Sequence, residues 1–287
     1  MSLPSSSHSE RTSPATYIAL YAAAAVTLVP FVWLVCGAFK RNDDFFTSAF
    51  LPRGEGLLGI AWSRITLDNF RTLLGDGSMF RALLNSVFLS STTAVAATLV
   101  CAMAGYALAK YRMPGRRILV AVVLSAVIVP PTLLLAPGYQ LLYRLGMLDS
   151  FSGLIVPALA PAFGVYLFRQ ASASVPAELI EAARIDGCGE LRIFATVALP
   201  LLRPMLSTFM LITFLGVWNN FINPQIVMQS TGKFPLSVAV AQLKGVYYQD
   251  YGLQVAGTLL SVAPVLGLFL LLQREFISGL TVGAVKE

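Results

Sequence analysis

An all-α membrane protein of six transmembrane helices is predicted by three features of this sequence. Of its 287 residues, 56% are hydrophobic and only 12% charged, with a mean hydropathy of +0.74, whereas a soluble domain carries about 25% charged residues. Six apolar stretches, about 16–39, 84–109, 118–137, 151–169, 205–227 and 253–273, have close to the ~20 residues that cross a ~30 Å bilayer core. None of these cores holds Asp, Glu, Lys, Arg or His until its edge, so the charge is confined to loops.

The first element is a polar tail over residues 1–15, with Arg11 its only Lys or Arg. The apolar run behind it is too long for a signal-peptide core and has no clear cleavage site. A retained first span and a single six-span transmembrane domain over 16–287 are therefore expected. An even number of spans places both termini on one side. The short second-to-third connection, KYRMPGRR, carries Lys110, Arg112, Arg116 and Arg117, while the third-to-fourth has only Arg144 as a basic residue. Basic short loops stay in the cytoplasm, so both termini are expected there. The longer segment at about 40–83 mixes six basic with five acidic residues and weighs less in this rule. Along the second span, Ser90, Ser91, Ala94, Ala97 and Gly105 permit close helix packing. Pro30, Pro130, Pro131, Pro157, Pro161 and Pro264 each remove an amide donor and predict bends, either gating pivots or static kinks.

Several functions are excluded by what is missing. A net charge of +6 in so apolar a chain reflects loop retention rather than nucleic-acid binding. Cys36, Cys101 and Cys188 are too scattered for a metal site or disulfide framework. His8, the sole histidine, lies in the tail, which removes a Ser/His or Cys/His dyad inside the membrane. The one Gly-Lys pair, Gly232-Lys233, precedes Phe234 and lacks the spaced glycine of a phosphate loop, so the sequence offers no phosphate-loop nucleotide site. An ion-coupled secondary transporter shares the topology and is the alternative, although it needs an intramembrane charge relay or a broken-helix cation site.

Between the fourth and fifth spans, about 171–204, the chain turns charged and amphipathic. Ser174 is positioned to cap a helix with Pro176 in its first turn and Glu178 and Glu181 near its positive end. Leu179, Ala182, Ala183 and Ile185 or Asp186 define a narrow face of mostly small residues. Gly187 ends this helix, because glycine enters the left-handed region without penalty. A second short helix is predicted from Gly189–Glu190, with Leu191, Phe194 and Val197 at three-residue spacing. Pro200 and Pro204 mark the turn back into the membrane. Such a helix-turn-helix either docks a partner closely or merely caps the bundle.

Glu181-Ala182-Ala183, then Asp186-Gly187, then Leu199-Pro200 resemble the EAA loop of binding-protein-dependent ABC importer permeases. LDNFRTLL (67–74), LLNSVFLS (83–90), AGYALAKYRMPGRR (104–117), WNNFINPQIV (218–227) and GLTVGAVKE (279–287) are similar to the maltose-type carbohydrate permeases, particularly the smaller of their two permease subunits. The chain departs from that pattern by ending in Lys286-Glu287 and by holding Cys188 where a smaller residue is usual.

The resemblance implies a type I ABC importer permease fold in the bacterial inner membrane. It implies that Glu181, Ala182, Ala183, Asp186, Gly187, Leu199 and Pro200 couple to a separate cytoplasmic ATPase, which holds ATP and Mg; no cofactor and no catalytic residue are expected in this chain. Partners implied are a homologous second permease, two ATPase subunits and an extracytoplasmic solute-binding protein, with a di- or oligosaccharide as cargo. Trp218, Asn219, Asn220 and Asn223 carry amides and an aromatic face suited to sugar in a translocation path, although such residues also anchor and bond helices. The segment about 228–252 is similar to the loop that reaches the binding protein, with Gly245, Tyr247, Tyr248 and Asp250 at its tip.

Overall fold

The computed structural model describes residues 13–243 and 250–281, with side chains as far as Leu270. No strand occurs among the described residues. The helices are α1 (Pro14–Ala38), α2 (Asp68–Gly75), α3 (Ser78–Lys110), α4 (Arg116–Ile128), α5 (Leu135–Arg144), α6 (Phe151–Ile155) and α7 (Ala162–Ala173), followed by α8 (Ala177–Ile185), α9 (Glu190–Ile193), α10 (Leu199–Leu201), α11 (Arg203–Trp218), α12 (Ile222–Val227), α13 (Leu236–Ala241) and α14 (Tyr251–Thr281).

Three of these, α1, α3 and α14, are long and apolar enough to cross a bilayer unbroken. Three helix pairs are apolar and long enough only when taken together, and each is bent: Arg116–Ile128 with Pro131–Arg144 at 97°, Phe151–Ala158 with Ala162–Ala173 at 41°, and Glu190–Leu201 with Arg203–Trp218 at 83°. The bend expected at Pro130 and Pro131 is present and interrupts the 118–137 stretch. Proline disfavours a helical residue before it, and Val129 and Pro130 are extended, so α4 stops and the chain leaves at a steep angle. With 13 residues, α4 is about 20 Å long, short of the ~30 Å core. The expected 205–227 span is likewise broken after Trp218. Pro30 and Pro264, in contrast, lie inside the continuous helices α1 and α14.

The described residues form two compact units, one of residues 13–75 and 250–259, the other of 76–243 and 260–281. In the first, α1 exposes most of its apolar surface, the pattern expected of a lipid-facing helix. The segment after it is an ordered cap rather than a loose loop. Buried Lys40 donates to the Ser48 carbonyl at 2.6 Å, and buried Asp44 pairs with Arg64 at 2.8 Å. Asn69 donates to the carbonyls of Ala38 and Lys40 at 2.9 and 2.8 Å, closing the end of α1. Phe45 stacks on Tyr251 at 5.3 Å.

In the second unit, α3 is the central element, and its 33 residues reach about 50 Å. Its main neighbours are α7 and α11. The packing is close because the contact residues are small, as expected for Ser90, Ala94, Ala97 and Gly105, all buried; Ser91 instead faces outward. A Cβ on Gly105 would lie 2.6 Å from the Phe168 carbonyl carbon and the Arg169 amide of α7. A Cβ on Gly164 would lie 2.4 Å from the Phe209 ring of α11.

Candidate functional site

The charged segment from Ala171 to Pro204 folds into a turn of defined geometry. Ser174 does not cap α8. Its hydroxyl bonds back to the Ala171 carbonyl at 2.8 Å and closes α7, while Pro176 occupies the cap position of α8. A proline there has no amide of its own to satisfy, and no side chain caps the amides that follow it. The other end of α8 is as expected: Gly187 has φ +79°, its amide bonds to Arg184 and the amide of Cys188 bonds to Ala183, each at 3.0 Å. This is the glycine-dependent C-terminal closure in which two crossed bonds satisfy the last carbonyls.

Beyond the turn, α9 passes into a π-helical turn over Phe194–Ala198 and then α10. Pro200 lacks an amide for Thr196, and its ring would crowd that carbonyl; one wider turn relieves both problems. The extra residue shifts the buried face. Ile193, Phe194 and Ala198 point inward, whereas Leu191, expected on the apolar face, is 74% exposed.

Two side-chain ties hold this turn to the end of α3. Arg184 forms a bidentate pair with Glu190, at 2.7 and 3.2 Å, and the Tyr111 hydroxyl donates to the same carboxylate at 2.6 Å. Lys110 donates to the carbonyls of Val175 and Ala173, which follow and end α7. Sequence reasoning named Glu190 only as a helix start and missed Tyr111, because the three partners lie up to 79 positions apart. The Arg184 pair, and then the Tyr111 bond, hold the Glu190 carboxyl below its usual range, and burial with the Glu190 bond pushes Tyr111 up to about 12.

The sign of the linkage follows directly. A depressed carboxyl pKa stabilises the folded turn above the unfolded carboxylate value, and that contribution fades as pH falls through the folded value. The raised phenol value leaves the tie intact below the ordinary tyrosine pKa of 10 and loosens it as pH rises towards about 12. At neutral pH, Glu190→Gln is expected to speed amide exchange across residues 184–193 several-fold. The difference from wild type should shrink at pH values below the carboxylate range. Equal protection at neutral pH would assign the turn's order to its apolar packing alone.

Beneath the ties, Val175, Ile180, Ile193, Phe194 and Ala198 of the turn share one buried cluster with Cys101 and Tyr106 of α3, Phe168 of α7 and Phe209 of α11. The Tyr106 ring meets Phe194 at 5.3 Å and Tyr111 at 6.0 Å. Interiors packed in this way transmit displacement rather than absorb it, so the turn is mechanically continuous with α3, α7 and α11. Its outward surface presents Glu181, Ala182, Asp186 and Gly187, all exposed, beside Ile185 at 87% exposure; Ala183 is half-buried. Leu199 is half-buried and Pro200 exposed at the far end.

The expected translocation quartet is divided. Trp218 is 4% exposed, stacks on Phe214 at 5.7 Å and donates its indole N–H to Ser261 of α14 at 3.2 Å. Its indole is engaged in helix packing, and no open face is left for a sugar. Asn219 is exposed at the end of α11, while Asn220 and Asn223 line a cavity of about 400 Å³ bounded also by α3, α5 and α6. Of the second expected group, Gly245, Tyr247 and Tyr248 lie outside the described residues. Asp250 caps α14 by accepting from the Leu253 amide at 2.9 Å. The chain leading towards that group is anchored by Asp149, which accepts from the amides of Gln229 and Ser230 at 2.9 Å each and pairs with Lys233. The Lys233 bond, then those of Ser230, hold this carboxyl well below its usual range.

A helical bundle with charge-free spans and an exposed, rigidly mounted turn defines the transmembrane subunit of a transport system. A family described as the binding-protein-dependent transport system inner membrane component matches residues 18–274. The arabinooligosaccharides transport system permease protein AraQ of Halalkalibacterium halodurans is 34% identical over 92% of each chain. The lactose transport system permease protein LacG of Rhizobium radiobacter is 31% identical over 94% of this chain and 95% of the relative. Among solved structures, a bacterial ABC transporter involved in import of the acidic polysaccharide alginate superposes with a TM-score of 0.78 at 21% identity, covering 91% of this chain and 95% of that one. The chain belongs to the binding-protein-dependent transport system inner membrane components, and its fold is that of a type I ABC importer permease.

Proposed function

We propose that this chain is the smaller permease of an ATP-driven importer that passes a di- or oligosaccharide from an extracytoplasmic binding protein into the cytoplasm. The observation that carries the proposal is the turn around Gly187, exposed outward and packed inward into the same cluster as α3, α7 and α11. Glu181, Ala182, Ala183, Asp186 and Gly187 form the docking surface for a separate ATPase, with Leu199 and Pro200 setting its far edge. ATP and Mg reside on that ATPase, and this subunit performs no chemistry. A homologous second permease completes the pathway, and both termini lie in the cytoplasm. Relatives named for neutral oligosaccharides support the choice of cargo.

The test is uptake of arabinotriose and raffinose into proteoliposomes containing the co-purified complex. Glu181→Lys inverts the charge of an exposed residue for which no intramolecular partner occurs among the described residues, so folding should be untouched. Uptake and sugar-stimulated ATP hydrolysis are expected to fall together. Uptake that persists without any ATPase subunit overturns the reading in favour of an ion-coupled carrier.

A further inference from the structure

The connection from α3 to α4 folds around an open cleft whose charged lining is Arg112, Arg116 and Arg117. Gly115, at φ +78°, turns the chain directly into α4. The charge gathered there is unbalanced. No Asp or Glu occurs in residues 77–148, and the Glu190 carboxylate beside Tyr111 is already taken by Arg184. Arg116 is partly committed, donating from Nη2 to the Ala109 carbonyl at 3.1 Å. Arg112 and Arg117 are exposed and have no hydrogen-bond or ion-pair partner among the described residues. Membrane topology requires basic residues on one side of the bilayer, but not their convergence on one cleft against mutual repulsion. Directly beyond the cleft the surface turns apolar: α4 buries none of its residues within the chain, and Ile118, Leu119 and Val122 are exposed. At 13 residues, α4 is about 20 Å long, enough to run through one leaflet of a ~30 Å core.

We infer that this cleft binds the headgroup phosphate of an anionic phospholipid whose acyl chains lie along α4. The inference stands apart from the importer reading, since it invokes neither cargo nor ATPase. Two free guanidiniums offer the paired N–H donors that suit phosphate oxygens, and basic pockets at the ends of spans are where anionic headgroups collect. No side chain caps the first amides of α4, so the positive end of its dipole adds to the same field. A zwitterionic lipid brings its own cation to the arginines and gains less. A free phosphate ion would satisfy the arginines and leave the apolar face of α4 uncovered, whereas a phospholipid accounts for both. The bound lipid bridges the end of α3, which carries the Tyr111 tie, to the start of α4.

The purified permease complex is placed in phosphatidylcholine nanodiscs that contain a trace of phosphatidylglycerol or phosphatidylcholine with a photoreactive diazirine in one acyl chain. After illumination, adducts are mapped by mass spectrometry on residues 118–122 and, as the reference lipid-facing surface, on α1. The ratio of phosphatidylglycerol to phosphatidylcholine adducts at 118–122 is expected to exceed that on α1 about twentyfold, roughly fivefold for each free arginine. Arg112→Gln combined with Arg117→Gln should bring the two ratios together. Both side chains are exposed and unpartnered, so folding should be untouched, and unchanged labelling of α1 checks this. Equal ratios in the wild type overturn the inference, as does a twentyfold excess that survives in the double variant. Loss of the excess on adding inorganic phosphate at matched ionic strength assigns the cleft to a soluble anion instead. Absence of any adduct on α4, with α1 labelled normally, shows that another protein covers α4 and overturns it too.

Discussion

Gly187→Val is expected to abolish sugar uptake driven by ATP while the permease still inserts and pairs with its partner. At φ +79° the backbone is in the left-handed region, which costs an L-residue roughly 1–2 kcal/mol and a β-branched residue more. No atom lies within 4 Å of a Cβ placed there, so the penalty comes from the local backbone and not from a clash. The turn relieves it by opening, which breaks the crossed bonds from Gly187 and Cys188 and swings Asp186 away from the Ala182 and Ala183 surface. Asparagine visits the same region at small cost, so Gly187→Asn should retain most activity. The ordering Gly, then Asn, then Ala, then Val in uptake per ATPase bound is the measurement. Equal activity of Asn and Val variants would show that the turn's shape is irrelevant to coupling.

Gly105→Ala is expected to give the largest loss of stability of any single-methyl addition described here. Its new carbon would sit 2.6 Å from the backbone of Phe168 and Arg169, and backbone cannot rotate aside as a side chain can. Overpacking of an interior costs about 1–3 kcal/mol; here α3 and α7 must separate along their main contact. The midpoint of thermal unfolding of the detergent-solubilised chain should fall, and Gly105→Leu should yield no monodisperse protein. Gly216→Ala is the control, since nothing lies within 4 Å of its Cβ and alanine favours a helix over glycine by about 1 kcal/mol. If Gly105→Ala and Gly216→Ala unfold at the same temperature, the close approach of α3 to α7 is not a feature of the folded chain.

Both glycines were legible in the sequence, but for different reasons and to different depths. Gly187 follows a helical run and precedes a second helical start, a local pattern that already implies a left-handed residue. Gly105 stands in a stripe of small residues, which says that something approaches closely without saying what. That it is the backbone of α7, and not a neighbouring subunit or lipid, depends on contacts 63 positions away in the chain. The same limit explains the miss at Ser174. A serine two residues before a proline suited to a first helical turn satisfies the local rule for capping, yet the helix starts later, at Ala177, and the preceding helix offers the hydroxyl a carbonyl at 2.8 Å.

The sequence by itself determined the solvent and the helical class, because the period and length of apolar runs reflect the bilayer directly. It also determined the position of the exposed turn, since charges must leave the membrane core, and the family, through the residues of that turn. Only the tertiary structure decided which prolines break a span and which merely sit in one, because the outcome depends on whether neighbouring helices accept the diverted chain. It alone joined Glu190, Arg184 and Tyr111, and it alone divided the Trp218–Asn223 group into a packed indole and two amides facing a cavity. These are pairings between distant segments, settled by which groups meet when the helices close, and no local pattern encodes them.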